Sequence, residues 1–293
     1  MKRKQGKQIA AAIATRRYRK AIRLIDIELD LMQSNPKLYR INWERDLLKL
    51  QSFLENSIQT GSLTYCTPTF AIFSKDGNEK LPFLSFSSMP GTGFCVGAGD
   101  CLKWCYSFRA WRYPAAFCRQ IQNAVLLQSD IGRKKILLEL DRFKPKHGAV
   151  DFRLYVDGDF TGVSDIKFWM EALKDRQWLK AYGYSKSWQA FLDYTGDVPS
   201  NYLLNLSSGS KYSDLIKNKL KALSFVRGEF KAIPVGYKVH TKDHGDRAHQ
   251  KKLRKAYGLK AFTCPGLCGS CTKSGHACGN DRFRGVDIII AAH

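Results

Sequence analysis

Two groups of cysteines are spaced closely enough to bind metal. The stretch GFCVGAGDCLKWCY, residues 93–106, has the spacing C-x5-C-x3-C, and CPGLCGSCTKSGHAC, residues 264–278, has C-x3-C-x2-C-x6-C. Thiolate sulfur is a preferred protein ligand of zinc and of iron–sulfur clusters. The predicted metal ligands are therefore Cys95, Cys101, Cys105, Cys264, Cys268, Cys271 and Cys278.

The spacing favours iron–sulfur over zinc. A structural zinc site with four cysteines usually pairs two C-x2-C knuckles, and the C-terminal group contains only one. Its C-x3-C-x2-C triple is closer to a [4Fe–4S] ligand run. We predict one or two such clusters, with zinc as the alternative. The first group has only three thiols, so its fourth position is open or is filled by Cys118 or by a thiol of the C-terminal group.

Two carboxylates form a candidate catalytic pair. In FRLYVDGDF, Asp157 and Asp159 come at the end of an apolar stretch that predicts a strand. Alternate residues of an extended strand share a face, so both could point into one cleft and act as a base or bind a divalent ion. A polar turn whose aspartates accept hydrogen bonds from backbone amides explains the same residues.

The charge of the chain predicts a polyanionic partner. The 293 residues include 48 Lys and Arg against 26 Asp and Glu, which gives a net charge of +22. The excess is concentrated near the N-terminus and between residues 211 and 260, and basic and aromatic residues alternate in WCYSFRAWRY. We predict nucleic-acid binding, with DNA favoured over RNA, through Arg16, Arg17, Arg19, Lys20, Arg109, Arg112, Lys251, Lys252, Arg254 and Lys255.

The sequence predicts a cytoplasmic protein with no membrane partner. It has no apolar stretch of about 18 residues and no apolar segment followed by a signal-peptide cleavage site. In a reducing compartment, clustered thiols hold metal more often than they form disulfides.

The pattern of apolar residues predicts an α/β fold. Helices over residues 7–34 and 43–59 form an N-terminal helical hairpin, assigned to a domain of residues 1–64. Residues 65–293 form the second domain, beginning with a β-hairpin that turns at Asp76-Gly77. A helix over 109–128 follows, delayed or kinked by Pro114. Apolar strands then alternate with amphipathic helices, the strands being predicted at 151–158, 180–187, 201–208, 230–239, 259–264 and 286–292. This alternation predicts an incomplete or open, TIM-like β/α barrel with cysteine-rich metal-binding loops.

The order of these motifs resembles that of the gene product 88 family of phage and plasmid proteins. The resemblance rests on C-x5-C-x3-C-Y after an apolar strand, on FRLYVDGDF and AYGYSKS, and on a cysteine-rich tail before VDIIIAAH. It covers roughly residues 80–293 and implies a mobile-element protein. The layout is also distantly similar to radical S-adenosylmethionine barrels, in which three cysteines after the first strand hold a [4Fe–4S] cluster. Those enzymes use C-x3-C-x2-C at that point, whereas here this spacing lies near the C-terminus.

These observations support three hypotheses about function. The first is a mobile-element iron–sulfur protein that binds nucleic acid, with metal centres that are structural or redox-sensing. The second is an iron–sulfur enzyme that acts on nucleic acid by radical chemistry or as a nuclease, and the third is a zinc-stabilised protein-interaction factor. The sequence lacks G-x-S-x-G, H-E-x-x-H and P-loop motifs and does not decide whether the protein is an enzyme.

Overall fold

The chain divides into two compact units. The computed structural model describes residues 3–38, 42–59, 62–63, 66–75, 83–91, 93–237, 239–257, 261–269, 271–272 and 275–292. The helical unit comprises residues 1–73, 87–94 and 106–144, and the sheet unit comprises residues 74–86, 95–105 and 145–293. The predicted domains 1–64 and 65–293 stay a prediction, because a compact unit is not by itself an independently folding domain.

Ten α-helices lie in the described ranges. They are α1 (Arg3–Ala14), α2 (Tyr18–Ser34), α3 (Trp43–Ser57), α4 (Cys101–Trp104), α5 (Pro114–Leu126), α6 (Asp130–Asp141), α7 (Val163–Lys174), α8 (Trp188–Asp193), α9 (Asp214–Lys221) and α10 (Arg247–Tyr257). Five short 3₁₀-helices accompany them, at Pro36–Leu38, Tyr106–Arg112, Thr241–Gly245, Ala277–Gly279 and Asp281–Phe283. Each of the helices described is too short or too polar to cross a bilayer.

The helical unit contains three N-terminal helices instead of the predicted pair. The predicted helix over 7–34 is interrupted at Arg16, whose φ is 55°. The Arg16 N–H donates to the Ile13 carbonyl at 2.9 Å and the Arg17 N–H donates to the Ala12 carbonyl at 2.8 Å. This is the hydrogen-bond pattern of a Schellman motif, which ends α1 and lets α2 start in a new direction.

The remaining helices of this unit pack around a buried core. Leu47, Leu50, Phe53 and Leu54 of α3 are buried, as their spacing predicts. Pro114 delays the following helix as expected, since a 3₁₀-helix precedes it and α5 begins at the proline. Helix α6 was not predicted, although Ser129 caps it by accepting a hydrogen bond from the Gly132 N–H at 3.1 Å.

The eight-stranded sheet is mostly parallel, which confirms the α/β class. Its strands are β3 (Phe73–Ser74), β4 (Leu84–Phe86), β5 (Val150–Leu154), β6 (Leu179–Ser185), β7 (Tyr202–Ser207), β8 (Val226–Ile233), β9 (Phe262–Thr263) and β10 (Ile288–Ala291), in the order β3-β4-β5-β6-β7-β8-β10-β9. Every pair from β4 to β9 is parallel. A separate antiparallel pair joins β1 (Ile58–Gln59) to β2 (Ser62–Leu63).

Two predictions about the strands are refined. The strand predicted at 230–239 begins earlier, at Val226, and ends at Ile233. Strands β3 and β4 are neighbours, as the predicted hairpin requires, but its turn at Asp76-Gly77 lies outside the described residues. Within the described ladders β3 and β9 are the two edges of the sheet, and no pairing that would close a barrel joins them.

The sheet presents two distinct faces. Strands β5 to β8 are added in sequence order, so right-handed crossovers place α7, α8 and α9 on the same side. Phe152 marks this helix face, since its ring packs 5.9 Å from Trp169 of α7. Side chains alternate between the two faces along a strand, so the strand register identifies the residues of the opposite face. We call it the cysteine face. Its residues include Arg153, Tyr182, Tyr184, Asn205, Phe230 and Ile288.

Candidate functional site

All four C-terminal cysteines come together on the cysteine face. The connection from β9 to β10 crosses this face, where Cys278 lies in a buried cluster with Phe83, Tyr182 and Ile288. Cys264, Cys268 and Cys271 pack against the same cluster. The thiols predicted from spacing are therefore neighbours in space, with an aromatic and aliphatic wall beside them.

The backbone around these cysteines turns toward the sulfur atoms. The Gly266 N–H donates to Cys264 Sγ at 3.4 Å, and the Ala277 N–H donates to Cys271 Sγ at 3.3 Å. Gly266 has a φ of 78°, and this left-handed conformation is one that glycine adopts without steric cost. Amides that donate to sulfur stabilise negative charge on a thiolate, which is the form that binds metal.

Burial favours the protonated form of two thiols in the C-terminal group. It raises the pKa of both Cys264 and Cys278 to about 12, and neighbouring thiols add to the effect. Those neighbours are Cys268 and Cys271 for Cys264, and Cys264 and Cys268 for Cys278. The thiols of Cys264 and Cys278 are therefore within electrostatic range of other cysteines of this group.

The donor set fits a four-thiolate centre by its chemistry. Among the residues that the structure describes, no three or more His, Cys, Asp or Glu side chains are already arranged around a point that could hold a metal ion. Four sulfurs, two N–H···S contacts and an apolar wall are the components that a zinc or iron–sulfur centre requires. The four sulfurs would have to draw closer around such a centre.

The first cysteine group lies at the carboxyl ends of the parallel strands. Within residues 95–105, the Gly99 N–H donates to the Gly209 carbonyl at 3.0 Å, and the Gly97 carbonyl accepts from the Lys211 N–H at 3.0 Å. Gly209 and Lys211 follow β7, so the cysteine loop is held against the edge where β/α folds build their sites. In the sequence this group follows an apolar strand, which agrees with that position.

Gly97 allows the closest approach in this loop. A Cβ atom at this position would fall 1.6 Å from the Lys186 carbonyl oxygen, which follows β6. We expect Gly97→Ala to lower the free energy of unfolding by about 1–3 kcal/mol, because the backbone must move apart to make room. Urea unfolding monitored by circular dichroism measures the change. Gly236→Ala is the control, since nothing lies within 4 Å of a Cβ there. Equal midpoints for the two variants would show that the close approach does not constrain the loop.

Cys101 shares its surroundings with a cation and a carboxylate. It is buried, which raises the pKa of its thiol, while the nearby Lys186 ammonium opposes that rise. Cys105 and Asp159 add smaller upward effects. Lys186 Nζ also donates to Ser207 Oγ at 2.7 Å. Cys95 is half-buried. Cys118, the alternative fourth ligand, is fully buried in α5 and belongs to the helical unit.

Asp157 and Asp159 differ in environment. Strand β5 ends at Leu154 and Tyr155 has a φ of 54°, so the extended geometry that would align the two carboxylates is interrupted before they are reached. Asp159 is buried and accepts hydrogen bonds from Ser185 Oγ at 2.6 Å and from the N–H groups of Lys186 and Phe160, both at 2.8 Å. Burial raises its pKa, and these bonds limit the rise. Asp157 is half-buried.

The predicted nucleic-acid contacts of the helical unit are exposed. Arg16, Arg17, Arg19 and Lys20 surround the corner between α1 and α2, and Arg109 and Arg112 lie on the 3₁₀-helix 106–112. The exposed rings of Tyr106 and Tyr113 flank these last two arginines, whereas Phe108 and Trp111 are core residues. The unit therefore presents cations and two stacking rings to solvent.

Helix α10 carries the basic residues predicted for the sheet unit. Lys251, Lys252, Arg254 and Lys255 are exposed, and only Leu253 of this helix is buried. No acidic residue occurs in α10, and these four cations form no ion pair with any residue in the described ranges. Lys252 Nζ lies 4.2 Å from the Tyr237 ring centroid. A row of exposed cations that form no ion pairs is suited to a polyanion.

Sequence reasoning missed several buried polar residues near the cysteines. Arg227 is fully buried in β8, and His276 stacks 4.6 Å from the ring of Tyr182 while its Nε2 lies 3.4 Å from Asp151 Oδ1. Neither carries a local signal, because a charged residue in an apolar stretch and a histidine in a loop are both usually exposed.

Comparison with protein families gives one match. A family model described as Gene product 88 matches residues 71–285, about three quarters of the chain. The matched segment contains both cysteine groups and excludes α1 to α3 and β10. No curated protein and no solved structure shows significant similarity to this chain.

Proposed function

The chain belongs to the gene product 88 family, and we propose that it is a cytoplasmic mobile-element protein that binds nucleic acid and carries metal in its cysteine groups. The C-terminal group would hold an iron–sulfur cluster of the [4Fe–4S] type through Cys264, Cys268, Cys271 and Cys278. Cys95, Cys101 and Cys105 would supply a second centre. When bound, such a cluster supplies redox chemistry or a rigid cross-link between loops.

One observation carries the metal proposal. Four cysteines of the β9–β10 connection meet on one face of the sheet, with backbone amides donating to two of their sulfurs. An apolar cluster alone does not need four thiols, whereas a tetrathiolate centre needs all of them. The two groups occupy different places, one at the carboxyl ends of the strands and one on the cysteine face, which supports two centres over one.

The nucleic-acid proposal is supported by charge and exposure. The net charge is +22, and exposed cations occur at the α1–α2 corner, on the 3₁₀-helix 106–112 and on α10. Binding that neutralises phosphates releases counterions, so affinity should fall steeply as salt rises. The test is a salt titration of binding to duplex DNA and to single-stranded RNA. Absence of binding at low salt would refute this part of the proposal.

A second candidate function is an iron–sulfur enzyme that acts on nucleic acid. It is favoured by the position of the first cysteine group, which lies beside Asp159 and Lys186 at the strand ends of the sheet. From β3 to β8 the strand order is sequential, as in the winding of a β/α barrel, whereas β10 and β9 close the order in reverse. We propose an incomplete barrel as the finer architecture on the sequential part. Radical S-adenosylmethionine-like chemistry and nuclease chemistry both belong to this candidate.

Alanine variants of Asp157 and Asp159 distinguish a structural role of each carboxylate from a catalytic role. Asp159→Ala is expected to destabilise the protein by about 2–4 kcal/mol, because it leaves a buried hydroxyl, a buried N–H and a partly buried N–H without their acceptor. Asp157→Ala should cost less, since this side chain is only half-buried. Urea unfolding measures both. If the protein has nuclease activity and Asp157→Ala loses it while the fold stays intact, the result would favour the enzyme hypothesis. Equal destabilisation by the two variants would contradict the structural role assigned to Asp159.

A third candidate is a zinc-stabilised protein-interaction factor. The four C-terminal thiols fit zinc by donor type as well as they fit a cluster. Colour and acid-labile sulfide distinguish the two, because zinc thiolate sites are colourless and contain no inorganic sulfide.

A further inference from the structure

A buried arginine lies on the cysteine face because of an irregularity in β8. Leu204 pairs with Val226 and Asn205 pairs with Gly228, so Arg227 is an extra residue in the β7–β8 ladder. Such a β-bulge re-aims a side chain that regular alternation would place elsewhere. Here it brings Arg227 next to Asn205, and the arginine has no solvent exposure.

The guanidinium of Arg227 is held by oxygen atoms that carry no net charge. Nε donates to Asn205 Oδ1 at 2.6 Å, one terminal nitrogen donates to the carbonyls of Phe283 and Val286, and the other donates to the Glu229 carbonyl at 2.9 Å. Asn205 in turn donates to the Cys278 carbonyl at 2.9 Å. The arginine is therefore fixed in relation to the backbone of a cysteine in the candidate centre.

The charge of Arg227 lacks a carboxylate partner in the described part of the chain. No carboxylate there forms an ion pair with Arg227. Asp287 has an electrostatic effect on the guanidinium, but its ion pair is with Lys231, at 2.9 Å. Cys278 has the largest electrostatic effect on the guanidinium among the groups that can become negative, and Tyr184 has the next largest. A buried cation without an anion is costly, so the fold that buries it is expected to supply one.

A tetrathiolate centre would be that anion. Four thiolates exceed the charge of Zn²⁺ or of a [4Fe–4S] core, which leaves the centre with a net charge of about −2. We propose that Arg227, with Arg153 as a second cation, is the built-in counter-charge of a metal centre at Cys264, Cys268, Cys271 and Cys278. This inference rests on the proposed metal-binding function and adds a specific electrostatic role for two residues that are not ligands.

Arg153, in β5, also lies on the cysteine face. It pairs in register with Tyr182, and its guanidinium carbon lies 4.7 Å from the ring centroid of Tyr184. Arg153 also acts electrostatically on Cys264, where its charge opposes the effect of burial. Two fixed positive charges therefore flank the thiols, one near Cys278 and one near Cys264.

The experiment separates the charge of Arg227 from its hydrogen bonds. Arg227→Lys keeps the charge and loses most donors, whereas Arg227→Gln keeps an N–H₂ donor and loses the charge. Full-length protein loaded with metal under anaerobic conditions is exposed to EDTA, and the rate of metal loss is measured. We expect the glutamine variant to lose metal at least tenfold faster than the lysine variant. Arg284→Gln is the control, because this partly exposed arginine also donates to backbone carbonyls, those of Ser224 and Val226.

The outcomes distinguish this inference from the proposed function. Equal rates for Arg227→Gln and Arg227→Lys would overturn the counter-charge role while leaving the metal centre in place. If neither variant folds, the same comparison between Arg153→Gln and Arg153→Lys decides, with equal rates overturning the inference and a faster loss from glutamine supporting it. Wild-type protein that takes up no metal would overturn both the inference and the metal-binding function.

Discussion

Cys278→Ser is expected to strip the metal from the C-terminal centre. Cys278 is buried against Tyr182 and Ile288, and its carbonyl accepts a hydrogen bond from Asn205, so the sheet holds this cysteine in place. Serine keeps the shape of the side chain but removes the thiolate that a zinc or iron–sulfur centre requires. The metal content of this group should fall from about one centre per chain to less than about a tenth, because a four-ligand site loses a ligand outright.

The matched control is a buried cysteine outside both groups. Cys66 is 1% exposed and belongs to the helical unit, so Cys66→Ser makes the same chemical change away from the proposed centre. Both variants are purified anaerobically, and their iron, zinc and sulfide contents are compared with those of the wild type. Full metal content in Cys278→Ser, or equal loss in the two variants, would contradict the assignment of Cys278 as a ligand.

Removing the cations of α10 is expected to weaken nucleic-acid binding by about 10²-fold at moderate salt, since each lost phosphate contact removes a share of the counterion release. The variant replaces four residues by glutamine: Lys251, Lys252, Arg254 and Lys255. All four are exposed and have no acidic neighbour in their helix. The slope of log affinity against log salt should decrease by up to about 3 to 4 in magnitude.

A control of equal charge tests whether position matters. Four other exposed lysines of the sheet unit are replaced by glutamine in the same way: Lys167, Lys174, Lys180 and Lys219. Both variants lose four positive charges, so a general effect of net charge would weaken them equally. Fluorescence anisotropy with labelled duplex DNA measures both affinities. The same affinity for the two variants would refute α10 as a specific binding surface.

Periodicity predicted most elements of the sheet unit. Apolar runs mark β7 and β10, as expected for strands of a parallel sheet. Strands β5 and β6 were predicted although charged residues interrupt them, at Asp151, Arg153 and Lys180. The start of β8 was missed, since Arg227 and Glu229 read as exposed residues although both are buried. Their burial depends on partners distant in sequence, such as the Phe283 carbonyl and Lys221, which no local pattern reveals.

The break between α1 and α2 shows a second limit. Arg16 takes the left-handed position of a Schellman motif, where glycine or asparagine is usual, so the apolar periodicity runs through it without a warning. The cysteine groups are the opposite case. Their spacing alone predicts that the thiols meet, and the C-terminal four share one cluster. The role of Gly97 was not predicted, because its close approach to Lys186 joins two segments that are distant in sequence.

The most direct test of the central claim is metal and sulfide analysis of the full chain purified without oxygen. We expect a brown protein with about four iron and four sulfide per centre, and with at least the C-terminal centre filled. A colourless protein that contains zinc and no sulfide would contradict the iron–sulfur assignment. A protein with neither iron nor zinc in stoichiometric amount would contradict the metal centre itself.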